Sequence, residues 1–317
     1  MRKQAGLANR ELTIIEGQPV FDLIAVDKSW VDVLLSLPAL PGHDQKVLAT
    51  LLGKQPGGMG GNVACAASRL GLRTGLVSWV GDDAEGELVL ADLRRFGVDA
   101  THLIVEPNTK TNFTTILIDS SGEKAIIVVP TAFNTLVVDS ALSAYFSQAS
   151  LVYTTVYDLD QLARVARVVH AAGGLMSADI EAVAGLQDEG LRQTLALLDL
   201  AFFNADTLDT ADYGQAAQEL RAAGPELVVI TLGAQGALAC HAQGIIPCPA
   251  FKVPVVDTTG AGDCFTAAFL TAYLRKFSLD QALRYAQAAA ALSIQGYGAR
   301  GALPSDEQVR DFLKVSV

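Results

Sequence analysis

Short runs of apolar residues recur along the chain, at intervals that leave room for a helix between them. The runs lie at residues 21–26, 74–80, 151–156, 174–180, 200–205 and 227–232. Continuous apolar segments of this length are typical of strands buried on both faces. Strands that alternate with helices pair in parallel, because each connection must cross back over the sheet. The sequence therefore predicts an α/β fold built on a mostly parallel sheet.

The intervals between these runs fit helices. The candidate helices cover residues 61–70, 85–96, 159–172 and 215–223. Gly71, Gly97 and Gly173 follow three of them, at the position where a glycine commonly ends a helix. The centre of the chain thus carries both halves of the alternation.

Two segments, 32–55 and 112–129, interrupt the alternation. Each contains two strand-like runs without a helix between them, VDVLLSL with KVLATLL and FTTILID with KAIIVV. Strands that follow one another directly are expected to pair antiparallel. The segments predict either a small second sheet over the main one or further edge strands of the same sheet, and periodicity does not distinguish the two.

Composition and charge exclude several classes of function. The 317 residues include 23 Lys and Arg against 34 Asp and Glu, a net charge of −11, so no overall positive field attracts nucleic acid or anionic lipid. The four cysteines and four histidines form neither CxxC nor HExxH, and so give no sign of a zinc site or a disulfide framework. No apolar run reaches the ~18–20 residues that a membrane span needs, and residues 1–20 lack the apolar core of a signal peptide. We predict a cytoplasmic protein with a polar extension over 1–20.

The strongest local motif is DTTGAGD at 257–263, which Cys264 and Phe265 connect to the apolar run TAAFLTAYL at 266–274. A turn of small residues that opens a helix leaves backbone N–H groups unpaired at the positive end of the helix dipole, which suits an anion. Asp263 lies at the mouth of this helix. A carboxylate there can accept the proton of an attacking hydroxyl in phosphoryl transfer. The motif alone leaves equally open that Asp263 only caps the helix.

A second glycine cluster, GGMGGN at 57–62, precedes the run VACAASRLG. Four glycines in five positions indicate that a ligand or a second backbone approaches closely. Asn62 offers both a donor and an acceptor to a substrate that carries hydroxyl groups. The alternative interpretation is a flexible hinge with no ligand contact.

Two common nucleotide motifs do not apply. The chain contains no GxxxxGK[ST], which excludes a Walker-type site. Residues 296–301, GYGARG, match GxGxxG but follow an Ala-rich helical stretch near the C-terminus instead of a first strand. The position of this match therefore argues against a dinucleotide-binding function.

Taken in order, these motifs resemble the ribokinase-like (PfkB) family of carbohydrate kinases from about Phe21 onward. The matching segments are GGMGGNVACAASRLG at 57–71, VGDDAEGE at 80–87, LRRFGVD at 93–99, GEKAII at 122–127, ITLGAQGAL at 230–238 and DTTGAGD at 257–263. The segment LADLRRFGVD, the region of Asp32 and the segment AFKVPVVDTTGAGD are further similar to members that act on ketohexoses and sulfonated ketohexoses.

The resemblance implies a three-layer α/β/α core with a small β-sheet lid. The core would cover residues 21–31, 56–111 and 130–317, and the lid residues 32–55 and 112–129. It also implies transfer of the γ-phosphoryl group of ATP, with Mg²⁺ and a monovalent cation such as K⁺, to a hydroxyl of a small sugar. A homodimer through the lids agrees with the exposed strand edges that such a lid would offer to a second copy.

The resemblance assigns roles to individual residues. Asp263 is the general base, and the amides of Gly260, Ala261 and Gly262 form the anion hole. The sugar side is assigned to Asp32, Gly57, Gly58 and Asn62, and the nucleotide side to Thr231, Gly233, Gly236, Thr258 and Asn204. Asp257 matches a position near a monovalent-cation site.

Three positions depart from the family pattern. The family usually has Asn-x-x-Glu near residue 204, where the glutamate positions the waters of the metal; here Thr207 stands at the glutamate position. Asp206, one residue earlier, or Asp179 at a neighbouring strand end is the remaining candidate for Mg²⁺. Asp27 replaces a strand-end glycine, and spacing favours Asp32 over it as the sugar ligand. Trp30 stands where ribose-specific members have asparagine, which disfavours ribose.

Two other functions fit the same fold. A nucleoside kinase would need an aromatic pocket of the size of a base, and aromatic residues make up 7% of the chain. A non-catalytic sugar or nucleotide sensor would not need Asp263 and its glycine turn, so their presence argues against it.

Overall fold

The computed structural model describes residues 19–27, 29–120, 124–131, 136–155, 158–181 and 188–315. Within these ranges the strands are β1 (Phe21–Val26), β2 (Trp30–Ser36), β3 (Thr50–Gly57), β4 (Thr74–Gly81), β5 (Leu103–Glu106), β6 (Phe113–Ile118), β7 (Lys124–Val129), β8 (Ala149–Thr155), β9 (Leu175–Ile180), β10 (Leu200–Asn204), β11 (Leu227–Thr231), β12 (Ala237–His241) and β13 (Gly244–Cys248). The helices are α1 (Met59–Arg69), α2 (Ala84–Arg95), α3 (Ser140–Phe146), α4 (Leu159–Ala171), α5 (Glu189–Leu195), α6 (Tyr213–Ala222), α7 (Ala261–Leu274), α8 (Leu279–Ser293) and α9 (Asp306–Val315). The predicted extension over 1–20 lies almost wholly outside the described residues.

The larger sheet has the strand order β13-β12-β11-β10-β9-β8-β1-β4-β5. Neighbours from β11 to β5 pair in parallel, and β12 and β13 add an antiparallel hairpin at one edge. The predicted mostly parallel sheet is therefore confirmed.

The chain starts in the middle of this sheet and extends it in both directions. From β1 it passes to β4 and β5 on one side, and it later returns to β8 on the other side. At such a reversal the connections leave to opposite faces, so a crevice opens at the carboxyl ends of the two strands. The fold thus places a binding crevice at the ends of β1 and β8.

Two hydrophobic clusters cover the two faces of the larger sheet. One joins the sheet to α1, α2, α7 and α8, and the other joins it to α3, α4, α5 and α6. This is the three-layer α/β/α arrangement that the resemblance implied. No helix in the described ranges is long and apolar enough to span a membrane.

The smaller sheet, here called the lid sheet, has the order β3-β2-β6-β7. The pairs β2–β3 and β6–β7 are antiparallel, as expected, whereas the central pair β2–β6 is parallel. The two excursions of the chain therefore meet side by side and form one separate sheet. The predicted run KVLATLL is only partly a strand: β3 begins at Thr50, and Leu48 stays 93% exposed. The strand lies later in the sequence than the apolar pattern predicts. It ends in the glycine cluster, where Gly57 pairs with Trp30 of β2.

The helix starts fall into two groups. Each of α2 to α6 follows an aspartate whose side chain accepts a hydrogen bond from a backbone N–H of the first turn. By contrast, α1 and α7 follow Gly58 and Gly260, and neither has a side-chain cap bond. The two helices that begin at the glycine motifs therefore lack a cap side chain for their first-turn N–H groups, and in α1 the carboxylate of Asp27 accepts one of these, the N–H of Gly60.

Candidate active site

Asp263 is the third residue of α7 and is buried. Its Oδ2 accepts a hydrogen bond of 2.7 Å from Nδ2 of Asn62, which lies on α1. The partner of the carboxylate is thus a side chain of another helix. The structure favours the functional interpretation of Asp263 over the helix-cap interpretation.

The electrostatic surroundings of Asp263 favour its protonated form. Burial raises its pKa from 3.8 to about 8, the hydrogen bond from Asn62 opposes this, and the charges of Asp179, Glu181 and Asp27 add to the increase. A carboxyl group with a pKa close to the working pH can take up and release a proton readily. A pKa in this range is compatible with the predicted role of Asp263 as a base.

The turn in front of α7 differs in detail from the predicted anion hole. Gly260 is left-handed, with φ 73°, and a Cβ there would lie 2.7 Å from the Cβ of Ala299, so only glycine fits. The N–H of Ala261 donates to the carbonyl of Thr258 at 3.2 Å, which engages one of the three predicted amides within the turn itself. Gly262 is exposed, and a Cβ there would meet nothing within 4 Å. Gly262 is therefore the position of this turn whose surroundings are open.

Carboxylates collect at the strand ends beside Asp263. Asp179 lies in β9, and burial together with the charge of Glu181 raises its pKa to about 7. Burial also raises the pKa of Glu181. The hydroxyl of Tyr153 in β8 is fully buried and has no hydrogen-bond partner in the described part of the chain. This concentration of negative charge suits a bound cation.

A magnesium ion fits this region only together with other ligands. Among the described residues, no three His, Cys, Asp or Glu side chains group closely enough to hold a metal ion. Mg²⁺ commonly takes one or two carboxylates and completes its shell with water and phosphate oxygens. The partly buried Asp179 and the exposed Glu181 offer such carboxylates. Asp206 is exposed, in the turn after β10, where its N–H donates to Oδ1 of Asn204.

Asp27 and Asp32, the two candidate sugar ligands from the sequence analysis, have different surroundings. Oδ2 of Asp27 accepts the N–H of Gly60 at 2.9 Å, so this carboxylate anchors the first turn of α1. Asp32 is buried in β2 of the lid sheet, opposite Thr114. Burial raises the pKa of Asp32 to about 6, against the lowering effects of the Arg300 charge and a hydrogen bond from Thr114. Asp32 stays the predicted sugar ligand.

The glycine cluster has a cause that the sequence did not indicate. A Cβ at Gly61 would overlap the guanidinium of Arg300, a residue 239 positions further along the chain. The carbonyl of Gly57 accepts a hydrogen bond of 2.8 Å from the same guanidinium. Gly58 is the residue before α1. A buried side chain of the protein, instead of a ligand or a second backbone, therefore makes the close approach at Gly61.

The residues predicted for the nucleotide side lie at the carboxyl ends of β10 and β11. Asn204 and Thr231 are register partners there, and Thr231 donates weakly to the carbonyl of Phe203 at 3.3 Å. Gly233 opens the turn between β11 and β12, with nothing within 4 Å of a Cβ built on it, and Thr258 is exposed. Gly236 packs against the backbone that follows β13, so its role in the turn is structural.

Asp257 already has a cationic partner. Its Oδ1 lies 2.5 Å from Nζ of Lys124, at the start of β7 in the lid sheet, and Nζ also donates to Oγ1 of Thr259 at 3.0 Å. Oδ2 accepts the N–H of Gly298 at 2.9 Å. Burial tends to raise the pKa of Asp257, but the bonds from Lys124, Thr259 and Gly298 prevail and lower it to about 2. Gly122 and Glu123, which complete the family-like turn before Lys124, lie outside the described residues.

The structure adds residues that the sequence analysis missed or left undecided. Arg300 belongs to the GxGxxG segment whose dinucleotide interpretation fails, the pattern around Lys124 specifies no contact, and no motif includes Glu181 or Tyr153. The only available signal for Arg300 was a charged residue in a C-terminal segment rich in small residues. Its partners Gly57 and Asn62 are 243 and 238 positions away, and no local pattern connects them.

Comparisons with known proteins agree with this geometry. Residues 21–306 match the model of the pfkB family of carbohydrate kinases. An ATP-dependent ribose-1-phosphate kinase of Halopiger xanaduensis is 31% identical over 287 residues, covering 89% of this chain and 94% of the relative. An aminoimidazole riboside kinase of Salmonella typhimurium is 30% identical over 311 residues, covering 91% of this chain and 96% of the relative.

A solved structure supports the fold as a whole. The Arabidopsis thaliana ribokinase complexed with ribose and ATP superimposes with a TM-score of 0.82 at 27% identity, over 93% of this chain and 99% of that one. The family model, the relatives and the fold agree over nearly the full length of the chain. The resemblance drawn from the two glycine motifs is confirmed, and this protein belongs to the pfkB family of carbohydrate kinases.

Proposed function

We propose that the protein transfers the γ-phosphoryl group of ATP to a hydroxyl of a small neutral sugar, a ketohexose or a close derivative. One observation carries this proposal: the buried carboxylate of Asp263, held by Asn62, lies in the first turn of a helix whose start is uncapped. A proton acceptor and an anion site then lie on the same turn. Both are needed when a hydroxyl attacks a phosphoryl group.

The reaction follows from these positions. The sugar lies at the carboxyl ends of β1 and β8. Asp32 accepts a hydrogen bond from one sugar hydroxyl, and Asn62 donates a hydrogen bond to another. Asp263 takes the hydroxyl proton as the sugar oxygen bonds to the γ-phosphorus, while the bond from that phosphorus to the oxygen bridging it to ADP breaks and ADP leaves. The N–H groups beside Gly262 stabilise the negative charge on the transferred group. Mg²⁺, bound with the nucleotide, would neutralise part of the phosphate charge.

The nucleotide has room beside the sugar. Strands β1 and β11 are four steps apart in the sheet order, which at ~4.8 Å per step is about 19 Å along the carboxyl edge. Asn204 and Thr231 lie at the far end of this distance and Asp27 at the near end. Two ligands can therefore lie side by side, and the Arabidopsis ribokinase is an example of a similar fold complexed with both ribose and ATP.

The charges of the site favour a neutral acceptor over a phosphorylated or sulfonated one. The sugar side carries the carboxylates of Asp27, Asp32 and Asp263. Two cations reach this region in the described residues, and each is paired with a carboxylate of the protein, Arg300 with Asp92 and Lys124 with Asp257. An anionic substituent on the sugar would have to displace one of these pairs.

A nucleoside acceptor is the second candidate. Its support is the 30% identical relative named aminoimidazole riboside kinase, whose chain is covered almost completely. A non-catalytic sensor has no such support. It would bind sugar and nucleotide without releasing ADP.

The test is ADP release from Mg·ATP with a panel of ketohexoses, aldohexoses, pentoses, sulfonated hexoses, phosphorylated sugars and nucleosides. We expect a neutral ketohexose to give the highest kcat/KM. Asp32→Asn should raise the KM for that sugar and leave the KM for ATP unchanged, because Asp32 lies in the lid sheet, away from the nucleotide strands. Preference for a nucleoside would select the second candidate, and ligand binding without turnover would contradict the kinase proposal.

Lys124 leads to an expectation about monovalent cations. Because its ammonium already contacts the carboxylate of Asp257, a potassium ion at that carboxylate would have to displace it. We expect similar rates in potassium and in choline salts, and a Lys124→Met variant that is slower but regains activity with added K⁺. Initial rates at constant ionic strength measure both. A wild-type enzyme that depends on K⁺ would show that Lys124 moves away during turnover.

We also propose a homodimer through the lid sheets. Leu51, Leu35 and Leu117 are neighbours across β3, β2 and β6, and Leu51 and Ile127 are more than half exposed. An exposed apolar sheet face of this kind is commonly covered by another chain. Light scattering at micromolar concentration decides the point, since a monomeric mass would exclude the dimer.

A further inference from the structure

The GYGARG segment at 296–301 has no role in the function proposed so far, yet it carries a buried cation. The side chain of Arg300 is 4% exposed. Its NH1 donates to Oδ2 of Asp92 on α2, its NH2 to the carbonyl of Gly57 at the end of β3, and its Nε to Oδ1 of Asn62 on α1, each at 2.8 Å. One guanidinium thus joins three elements that are far apart in the sequence.

These bonds determine how the carboxamide of Asn62 is oriented. A guanidinium has only donors, so the atom of Asn62 that faces Nε must be the oxygen. The nitrogen of the carboxamide then faces Asp263, to whose Oδ2 it donates at 2.7 Å. If the carboxamide rotated by half a turn, it would present an oxygen to the carboxylate of Asp263 and a donor to Arg300, and both contacts would become repulsive.

We propose that Arg300 is a positioning residue for phosphoryl transfer: through Asn62 it holds Asp263 as a hydrogen-bond acceptor directed at the reacting hydroxyl. This inference rests on the proposed function of Asp263 as the base. Arg300 itself touches neither reacting atom. Its effect is to fix one of two orientations of an amide that contacts the base.

The surroundings of Arg300 fit this role better than simple filling of the interior. Its charge is paired directly with Asp92, which also pairs with Arg95 at 2.6 Å, whereas its effect on Asp32 is electrostatic. Gly61 leaves the space that the guanidinium occupies. The planar fork of arginine meets three acceptors at once, which the single ammonium of a lysine cannot do.

Arg275 provides a matched control. Its guanidinium also bridges distant parts of the chain, donating from NH1 to Asp306 at 2.7 Å and from NH2 to the carbonyl of Leu70, the residue that ends α1, at 2.6 Å, and its side chain is 28% exposed. It follows the C-terminal end of α7, opposite to the end that carries Asp263. If kcat falls in Arg300→Lys only because a bridge between distant parts of the chain is weakened, kcat should fall in Arg275→Lys as well.

The experiment compares Arg300→Lys and Arg275→Lys, with Asn62→Ala and the Arg300→Lys/Asn62→Ala double variant. A misplaced catalytic group costs up to about 100-fold in rate, so we expect kcat of Arg300→Lys to fall by ~10–100-fold with the KM for ATP within ~2-fold of wild type. Arg275→Lys should keep the wild-type kcat. In the Asn62→Ala background, Arg300→Lys should cause no further loss, because the residue through which it acts is gone.

Two results would overturn the inference. One is a kcat for folded Arg300→Lys that equals the wild-type value; the other is an equal loss with and without Asn62. If Arg300→Lys does not fold, Asp92→Asn takes its place with the same two criteria, because it loosens the guanidinium without touching Asn62. The proposed function fails separately, if wild-type enzyme releases no ADP with any sugar or nucleoside.

Discussion

Asp263→Asn should lower kcat by about 10²–10⁴-fold, the range that general-base catalysis typically contributes. The asparagine keeps the shape of the side chain but cannot accept the proton of the attacking hydroxyl. Since α7 has no side-chain cap bond to lose, the helix should remain intact. The KM values for ATP and for the sugar should change little. Steady-state ADP release, with both ligands titrated, measures the three constants.

Asp139→Asn is the matched control. Asp139 caps α3 by accepting the N–H of Leu142 at 2.8 Å, which is the alternative role that the sequence allowed for Asp263. Because the oxygen of asparagine caps a helix about as well as aspartate does, this replacement should leave both thermal stability and kcat nearly unchanged. A pattern in which Asp263→Asn affects stability alone would make Asp263 a structural residue and contradict the mechanism.

Stability should respond to pH in a direction that checks the same group. Because burial raises the pKa of Asp263 above its ordinary value, from 3.8 to about 8, the unfolded chain releases this proton more readily than the folded one. The contribution of Asp263 to stability is therefore present below pH ~4 and declines as the pH rises towards the folded pKa of about 8. Asp263→Asn should be at least as stable as wild type at pH 8, so a low kcat cannot be attributed to unfolding.

The parts of the fold that could be predicted from sequence are those encoded locally. Apolar runs placed the central strands, and the positions of Gly71, Gly97 and Gly173 agree with the ends of α1, α2 and α4. The hairpin β12–β13 and the short helices α3 and α5 were not predicted, because short elements carry little periodic signal. The parallel pairing of β2 with β6 was missed for another reason. It joins two excursions of the chain, and nothing within either segment specifies its partner.

The site divides in the same way. Asp263, Gly260 and Asn62 were found because their motifs place them at the start of a helix, which is local information. The bond between Asn62 and Asp263 spans 201 positions, and that between Lys124 and Asp257 spans 133. Such contacts depend on how the layers assemble. A pattern match therefore located the candidate base, Asp263, but not the long-range contacts around it.

The pH dependence of turnover should show the electrostatic coupling in the site. As a base, Asp263 must be ionised, so kcat/KM for the sugar should rise about tenfold per pH unit and level off above the pKa, near pH 8. The charge of Asp179 contributes to the high pKa of Asp263. Asp179→Asn removes that charge and should move the rising limb to lower pH.

The informative quantity is the pH at which kcat/KM rises, and not the maximum value of kcat/KM. Asp179→Asn can also lower the rate at every pH, because Asp179 is a candidate ligand of Mg²⁺. Asp206→Asn serves as the control, since Asp206 is exposed and is not among the groups that shift Asp263. Its limb should coincide with that of wild type. A wild-type profile that is flat between pH 6 and 8 would show that Asp263 does not limit the reaction through its ionisation. A limb that Asp179→Asn moves to higher pH would show that the charge of Asp179 does not act on Asp263, since loss of a negative neighbour can only make a carboxyl group more acidic.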